Sequence, residues 1–117
     1  MNDKSILLST KKLLQIPEDY DHFDIDIVTH INSVLSHLHQ LGLGPKEGFA
    51  ISGDGETWNE FIDDKLTLQN VKSYVYLKVR LWFDPPANAF LVSSMEKQLQ
   101  EFDFRLTVAA EEIQNGK

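Results

Sequence analysis

The sequence predicts an all-α fold, a small bundle of four main helices plus a short helix, and three observations predict it. Apolar residues recur at steps of three and four through most of the chain. Proline and glycine stand where those runs stop, at Pro17, Gly42 and Pro85-Pro86. With 117 residues, 42% of them hydrophobic, the chain has apolar material for one core and too little for two. Residues 1–117 therefore read as one domain.

Ser5 or Asp3 caps a first helix that carries Ile6, Leu7, Leu13 and Leu14 and ends before Pro17. Glu18-Asp19-Tyr20-Asp21 reads as an acidic connector, with Asp21 or Asp24 placed to cap the second helix. That helix, about Phe23 to Leu41, sets Phe23, Ile27, Ile31, Val34, Leu35, Leu38 and Leu41 on one face, and Gly42 stops it. Five of the six glycines fall between Gly42 and Gly55, which marks a loop in which Phe49-Ala50-Ile51 has room for a minor β element. Thr57 and Glu60 have the spacing of a capping box, so Trp58, Phe61 and Ile62 ride on a short helix that pins the loop to the body.

The third helix opens near Thr67, with Leu66 and Val71 spaced as a hydrophobic staple. Leu68, Val71, Tyr74, Val75, Leu77, Val79, Leu81 and Trp82 cover roughly 200° of its surface, more than a surface helix needs, so this is the central helix. Lys78 falls within that stripe and must snorkel to water or meet a carboxylate. Trp82-Phe83-Asp84-Pro85-Pro86 then forms a structural corner, because two prolines fix φ and remove backbone donors. Asn88 caps the fourth helix, on which Leu91, Met95, Leu99, Phe102, Leu106, Ala109 and Ile113 form a core-facing stripe. Phe90, Phe104 and Val108 lie on a different side. A helix apolar on two sides has two neighbours, and in so small a chain the second is another subunit.

Composition excludes several functions. No apolar run spans a bilayer, the N-terminus lacks a signal-peptide pattern, and the absence of cysteine removes disulfide and thiolate chemistry, all of which fits an unexported chain away from membranes. A net charge of -7 argues against a domain that grips DNA. Asp26, His30, Ser33 and His37 share one flank of the second helix, but neighbours on a helix diverge outward and no nucleophile elbow, oxyanion hole or third metal ligand accompanies them. The stretch from Gly42 to Gly48 is no phosphate-binding motif, and Ser52-Gly53-Asp54-Gly55-Glu56 lacks the alternating ligands of a calcium loop. Asp63 and Asp64 are adjacent and point apart. Neither a catalytic centre nor a cofactor or metal site is expected.

Read together, Ile6 to Leu14, Phe23-Asp24, Ile31-Asn32, Leu41 to Gly44, Trp58 to Phe61, Val71 to Val75, Phe83-Asp84-Pro85-Pro86 and Arg105-Leu106 resemble the head-tail connector family of tailed double-stranded DNA bacteriophages and prophages. The resemblance implies a non-enzymatic virion protein at the head-tail junction, made in the bacterial host cytoplasm. Members assemble as a ring between the portal protein and a tail-side stopper or completion protein, and genome DNA passes through without sequence-specific binding. Subunit or partner contacts are then expected at Phe90, Phe104 and Val108, at Phe49 and Ile51 in the loop, and at Glu111, Glu112 and Gln114 near the C-terminus. The alternative reading is a small cytoplasmic regulatory or antitoxin-like helical protein that binds one partner through the same apolar face. An enzyme built on His30 and Asp26 ranks third.

Overall fold

The computed structural model describes residues 4–115. Five helices succeed one another: α1 (Ile6–Leu13), α2 (Asp24–Leu41), α3 (Trp58–Phe61), α4 (Lys65–Phe83) and α5 (Ala89–Asn115). The all-α expectation holds. Phe49-Ala50-Ile51 forms no strand; the only β feature among the described residues is an isolated bridge between Ser5 and Thr57. The loop segment is held by a side chain instead: Asn32 Nδ2 donates to the Ile51 carbonyl at 2.9 Å and its Oδ1 accepts from the Ile51 N–H at 2.7 Å. One amide side chain thus supplies both partners a strand neighbour would have given.

Local chemistry sets each helix end. Ser5 caps α1 through the Leu8 N–H, while Asp3 lies outside the described residues. Neither Asp21 nor Asp24 caps α2: Phe23 occupies that position without a side-chain bond, because the Asp24 carboxylate is turned toward Lys11. At the other end Gly42 takes φ 108°, its N–H donates to the His39 carbonyl and the Leu43 N–H to that of Leu38. This is a Schellman stop, and buried Leu43 and Leu38 supply its apolar contact. The Thr57–Glu60 capping box forms as expected. The cap of α4, however, is Asp64, whose Oδ2 accepts from both the N–H and the hydroxyl of Thr67. Leu66 consequently sits in the first turn with 82% of its surface exposed, and the staple with Val71 does not exist. Asn88 caps α5 through the N–H groups of Phe90 and Leu91.

The long helices pack α2 against α4 and α4 against α5, with α1 on α2 and α4. Ile27, Ile31, Val34, Leu35 and Leu38 of α2 meet Val71, Tyr74, Val75 and Val79 of α4, and Leu99, Leu106 and Ala110 of α5 complete that core. Ile6 and Leu7 close it from α1, and Trp58 and Phe61 close it from α3. Truncating one of the fully buried aliphatics costs about 2–5 kcal/mol in such a setting.

The fourth-helix stripe needs two corrections. Ala110 rather than Ala109 is buried, and Leu91 is 49% exposed. Tyr74 and Asp103 set the register of the antiparallel α4–α5 pair. Val92 lines a surface groove with Leu81, Trp82 and Pro85, so α5 opens beside the corner, and there Phe90 and Leu91 are exposed.

Candidate interaction surfaces

Of the four polar residues on that flank of α2, the two histidines contact other helices, whereas Ser33 and Asp26 do not. His37 Nε2 lies 3.1 Å from Asp103 Oδ1, which joins α2 to α5, and the Tyr74 hydroxyl donates to the same oxygen at a long 3.5 Å. Burial, then the Asp103 charge and hydrogen bond, push the Tyr74 hydroxyl up to about 12. His30 rests against Trp82, Ser33 donates to the Thr29 carbonyl, and Asp26 is exposed. No shared reacting centre forms from them. Among the described residues no three His, Asp or Glu side chains converge as metal ligands would.

The loop from Ser52 to Glu56 is likewise closed on itself. Glu56 Oε2 accepts from the N–H and hydroxyl of Ser52. Desolvation pushes the Glu56 carboxyl up, but hydrogen bonds from Ser52, its own N–H and Gly53 outweigh it and leave the group below its ordinary value. The Glu56 carbonyl in turn accepts from the Ile6 N–H, and the Trp58 indole donates to the Ser9 hydroxyl, so the loop is fastened to α1.

Lys78 reaches neither a carboxylate nor open water alone: its ammonium lies 5.9 Å from the Tyr74 ring centroid and 5.3 Å from that of Trp82. Such cation–π contacts contribute on the order of 0.5–1 kcal/mol at an exposed site. The lysine that matters to the interior is Lys11, which is 0% exposed. Its Nζ meets the Asp24 carboxylate at 2.8 Å and the carbonyls of Glu18 and Tyr20 at 3.0 and 2.8 Å. The supposed connector 18–21 is therefore a wrapping built around one ammonium. A signal was present in the sequence: Lys11 falls between Leu7 and Leu14 at helical spacing, on the buried face of α1.

The outward residues are distributed unevenly. Phe90 is 78% and Phe104 70% exposed, while Val108 is half-buried. Phe90 and Phe104 share a side of α5 but stand roughly 21 Å apart along it, with polar Ser94, Lys97 and Glu101 between them, so they are two apolar points rather than a stripe. In the loop, Ile51 is 3% exposed and belongs to the chain's own core, and half-buried Phe49 lies on Phe61 with ring centroids 5.6 Å apart. Glu111 and Glu112 are exposed, and Gln114 lies over Gly42, where a β-carbon would meet its amide. At the corner, Phe83 packs edge-on to Phe23 at 5.1 Å and Pro86 is half-buried, whereas Trp82, Asp84 and Pro85 are exposed. Sequence reasoning missed Ile25, 80% exposed near the start of α2. Beside it α1, α2 and the 52–54 turn enclose a groove of about 400 Å³.

The described polar clusters join helices or close loops, and Ile25, Phe90 and Phe104 are left exposed on the surface. A family model described as phage connector protein matches residues 6–113, from the first residue of α1 almost to the end of α5. The chain belongs to that family, a family of structural phage proteins. No curated protein and no solved structure matches it. No helix among the described residues is long and apolar enough to cross a membrane.

Proposed function

We propose that the protein assembles as a ring between the portal and the tail-side stopper or completion protein of a phage head, completing the head and extending the DNA channel. The carrying observation is the family match over residues 6–113, which includes all the helices of the core and favours a connector over a regulatory partner-binding protein. Two physical features support the ring. Exposed aromatics on α5 give a neighbouring subunit apolar surface to bury, at about 25 cal/mol per Å². A net charge of -7 disfavours adhesion of the genome to a channel wall. The proposed contacts are Phe90, Phe104 and Val108 on α5, with Glu111, Glu112 and Gln114 toward the portal and Phe49 at the loop.

The test is co-sedimentation of the purified chain with DNA-filled heads carrying the portal protein of its own genome. Wild-type chain should pellet with the heads in stoichiometric rings, and the double variant Phe104→Asp/Val108→Asp should remain in the supernatant. Equal binding of both would remove α5 from the assembly surface.

A further inference from the structure

Lys97, Phe104 and Glu111 follow one another at intervals of seven residues on α5, so every two turns the helix returns to within about 20° of the same line. That line faces away from the bundle, because buried Leu99, Leu106 and Ala110 lie about 120–160° around the helix from Phe104, which is 70% exposed. Lys97 and Glu111 are exposed as well, and neither has an ion-pair partner among the described residues. We infer that, away from the head, two copies of this chain pair through antiparallel α5 helices about a two-fold axis at Phe104.

The order of the charges, rather than their sum, selects a second copy. From residue 97 to 112 this side of α5 carries Lys97 and Arg105 against Glu101, Asp103, Glu111 and Glu112, an acidic balance that would set a face of this kind against itself if the charges were simply added. Asp103 is committed inward, to His37 and Tyr74. In an antiparallel pair centred on Phe104, the lysine of each copy lies opposite Glu111 of the other, roughly 10 Å to either side of the axis, and Phe104 meets Phe104. Arg105 and Glu101, 3.5 Å apart on one edge of the face, come beside Glu101 and Arg105 of the second copy, while Glu112 comes beside Ser94. A parallel pair in register would instead set lysine on lysine and Glu111 on Glu111, so the pattern specifies the two-fold arrangement.

One helix laid on one helix buries less than the roughly 1,200 Å² of the smaller stable complexes, so the pair is weak and reversible. The ring reading above puts Phe104 and Val108 against a ring neighbour. On that reading pair and ring exclude each other: pairing hides this face of α5 in the free chain, and docking on the head releases it.

Sedimentation velocity of the free chain over a concentration series tests the pair. Wild type should be a monomer–dimer mixture whose dimer weakens as salt rises, because its ion pairs are exposed. Lys97→Glu puts like charges against each other at both ends of the contact and should raise the dimer dissociation constant roughly ten-fold. Lys97→Glu/Glu111→Lys restores opposite charges and should bring the constant back. Both positions are exposed, and circular dichroism confirms that each variant is folded before it is sedimented. A wild-type chain that stays monomeric, or that forms larger oligomers without a dimer, overturns the pairing. So does a dimer that is indifferent to Lys97→Glu or is not rescued by the double exchange. Each of those results leaves the ring reading to its own test on portal-bearing heads, and a rescued dimer beside heads that bind no chain keeps the pairing and overturns the ring.

Discussion

Lys11 and Asp24 face each other at 2.8 Å, with the lysine wholly enclosed and the aspartate 29% exposed. The ammonium's hydrogen bonds go to two backbone carbonyls, of Glu18 and Tyr20, while the aspartate answers its charge. The arrangement fixes α1, the 18–21 segment and the start of α2 relative to one another, and it thereby shapes the groove that Ile25 borders. Lys11→Ala strands a carboxylate and two carbonyls and should cost about 2–4 kcal/mol, below the figure for a fully buried pair because Asp24 reaches solvent. Asp24→Asn should cost less, since Lys11 keeps both carbonyls. Urea titrations measure both, and equal stability of Lys11→Ala and wild type would contradict the account.

Asn32 is the fastening of the glycine-rich loop. Asn32→Ala removes two hydrogen bonds to Ile51, each worth about 1 kcal/mol net, and leaves a half-buried N–H and carbonyl to find water. Limited proteolysis should then cut between Gly42 and Gly55 several-fold faster, with little change in the amide exchange of α4.

Acid should weaken the fold through two carboxylates. Asp64 is held below its ordinary value of 3.8 by the Thr67 hydroxyl and N–H, and Glu56 below 4.5 by hydrogen bonds that outweigh its burial. Groups depressed in the folded state contribute stability that is complete above the unfolded value and is lost as pH falls through the folded one. Stability should therefore hold at neutral pH and decline once pH drops below the mid-4 range, and Asp64→Asn should flatten the lower part of that decline. At the alkaline end the sign reverses for Tyr74. Its hydroxyl is raised from 10.0 to about 12, so between those values the unfolded chain has given up a proton that the folded chain keeps, and stability falls as pH rises. Tyr74→Phe should remove that alkaline limb in a pH series of thermal midpoints.

The helices were legible because their apolar spacing and their punctuation agree. Gly42, Asn88 and the Thr57–Glu60 box stand where the periodic runs begin or end, and each acts as its residue type implies. The illegible features depend on contacts between distant segments. Asp64 and Thr67 both suit a cap, and only the fold decides between them. Leu91 has the right spacing for the core, but it lies in the first turn of α5 beside the corner and stays 49% exposed. Ile51 looked like a free loop hydrophobe because nothing local announces that Asn32, nineteen positions earlier, holds it. The enclosure of Lys11 is illegible locally because its three partners come from residues seven to thirteen positions downstream.

The corner should respond to its prolines. Pro85→Ala/Pro86→Ala frees two φ angles in the unfolded chain and should lower stability by about 1–2 kcal/mol, with Phe23 and Phe83 still paired. A larger part of the effect should appear in assembly, because the corner fixes which side of α5 faces away from α4. Unchanged stability and unchanged ring formation would remove the corner from the account.

The central claim is that this chain forms a ring at the head-tail junction, and electron cryomicroscopy of purified virions tests it most directly. The account predicts a cyclic ring of this chain between portal and tail-side density, with the exposed side of α5 against a neighbouring copy. A portal-tail junction resolved to side chains and built entirely from other proteins would contradict it.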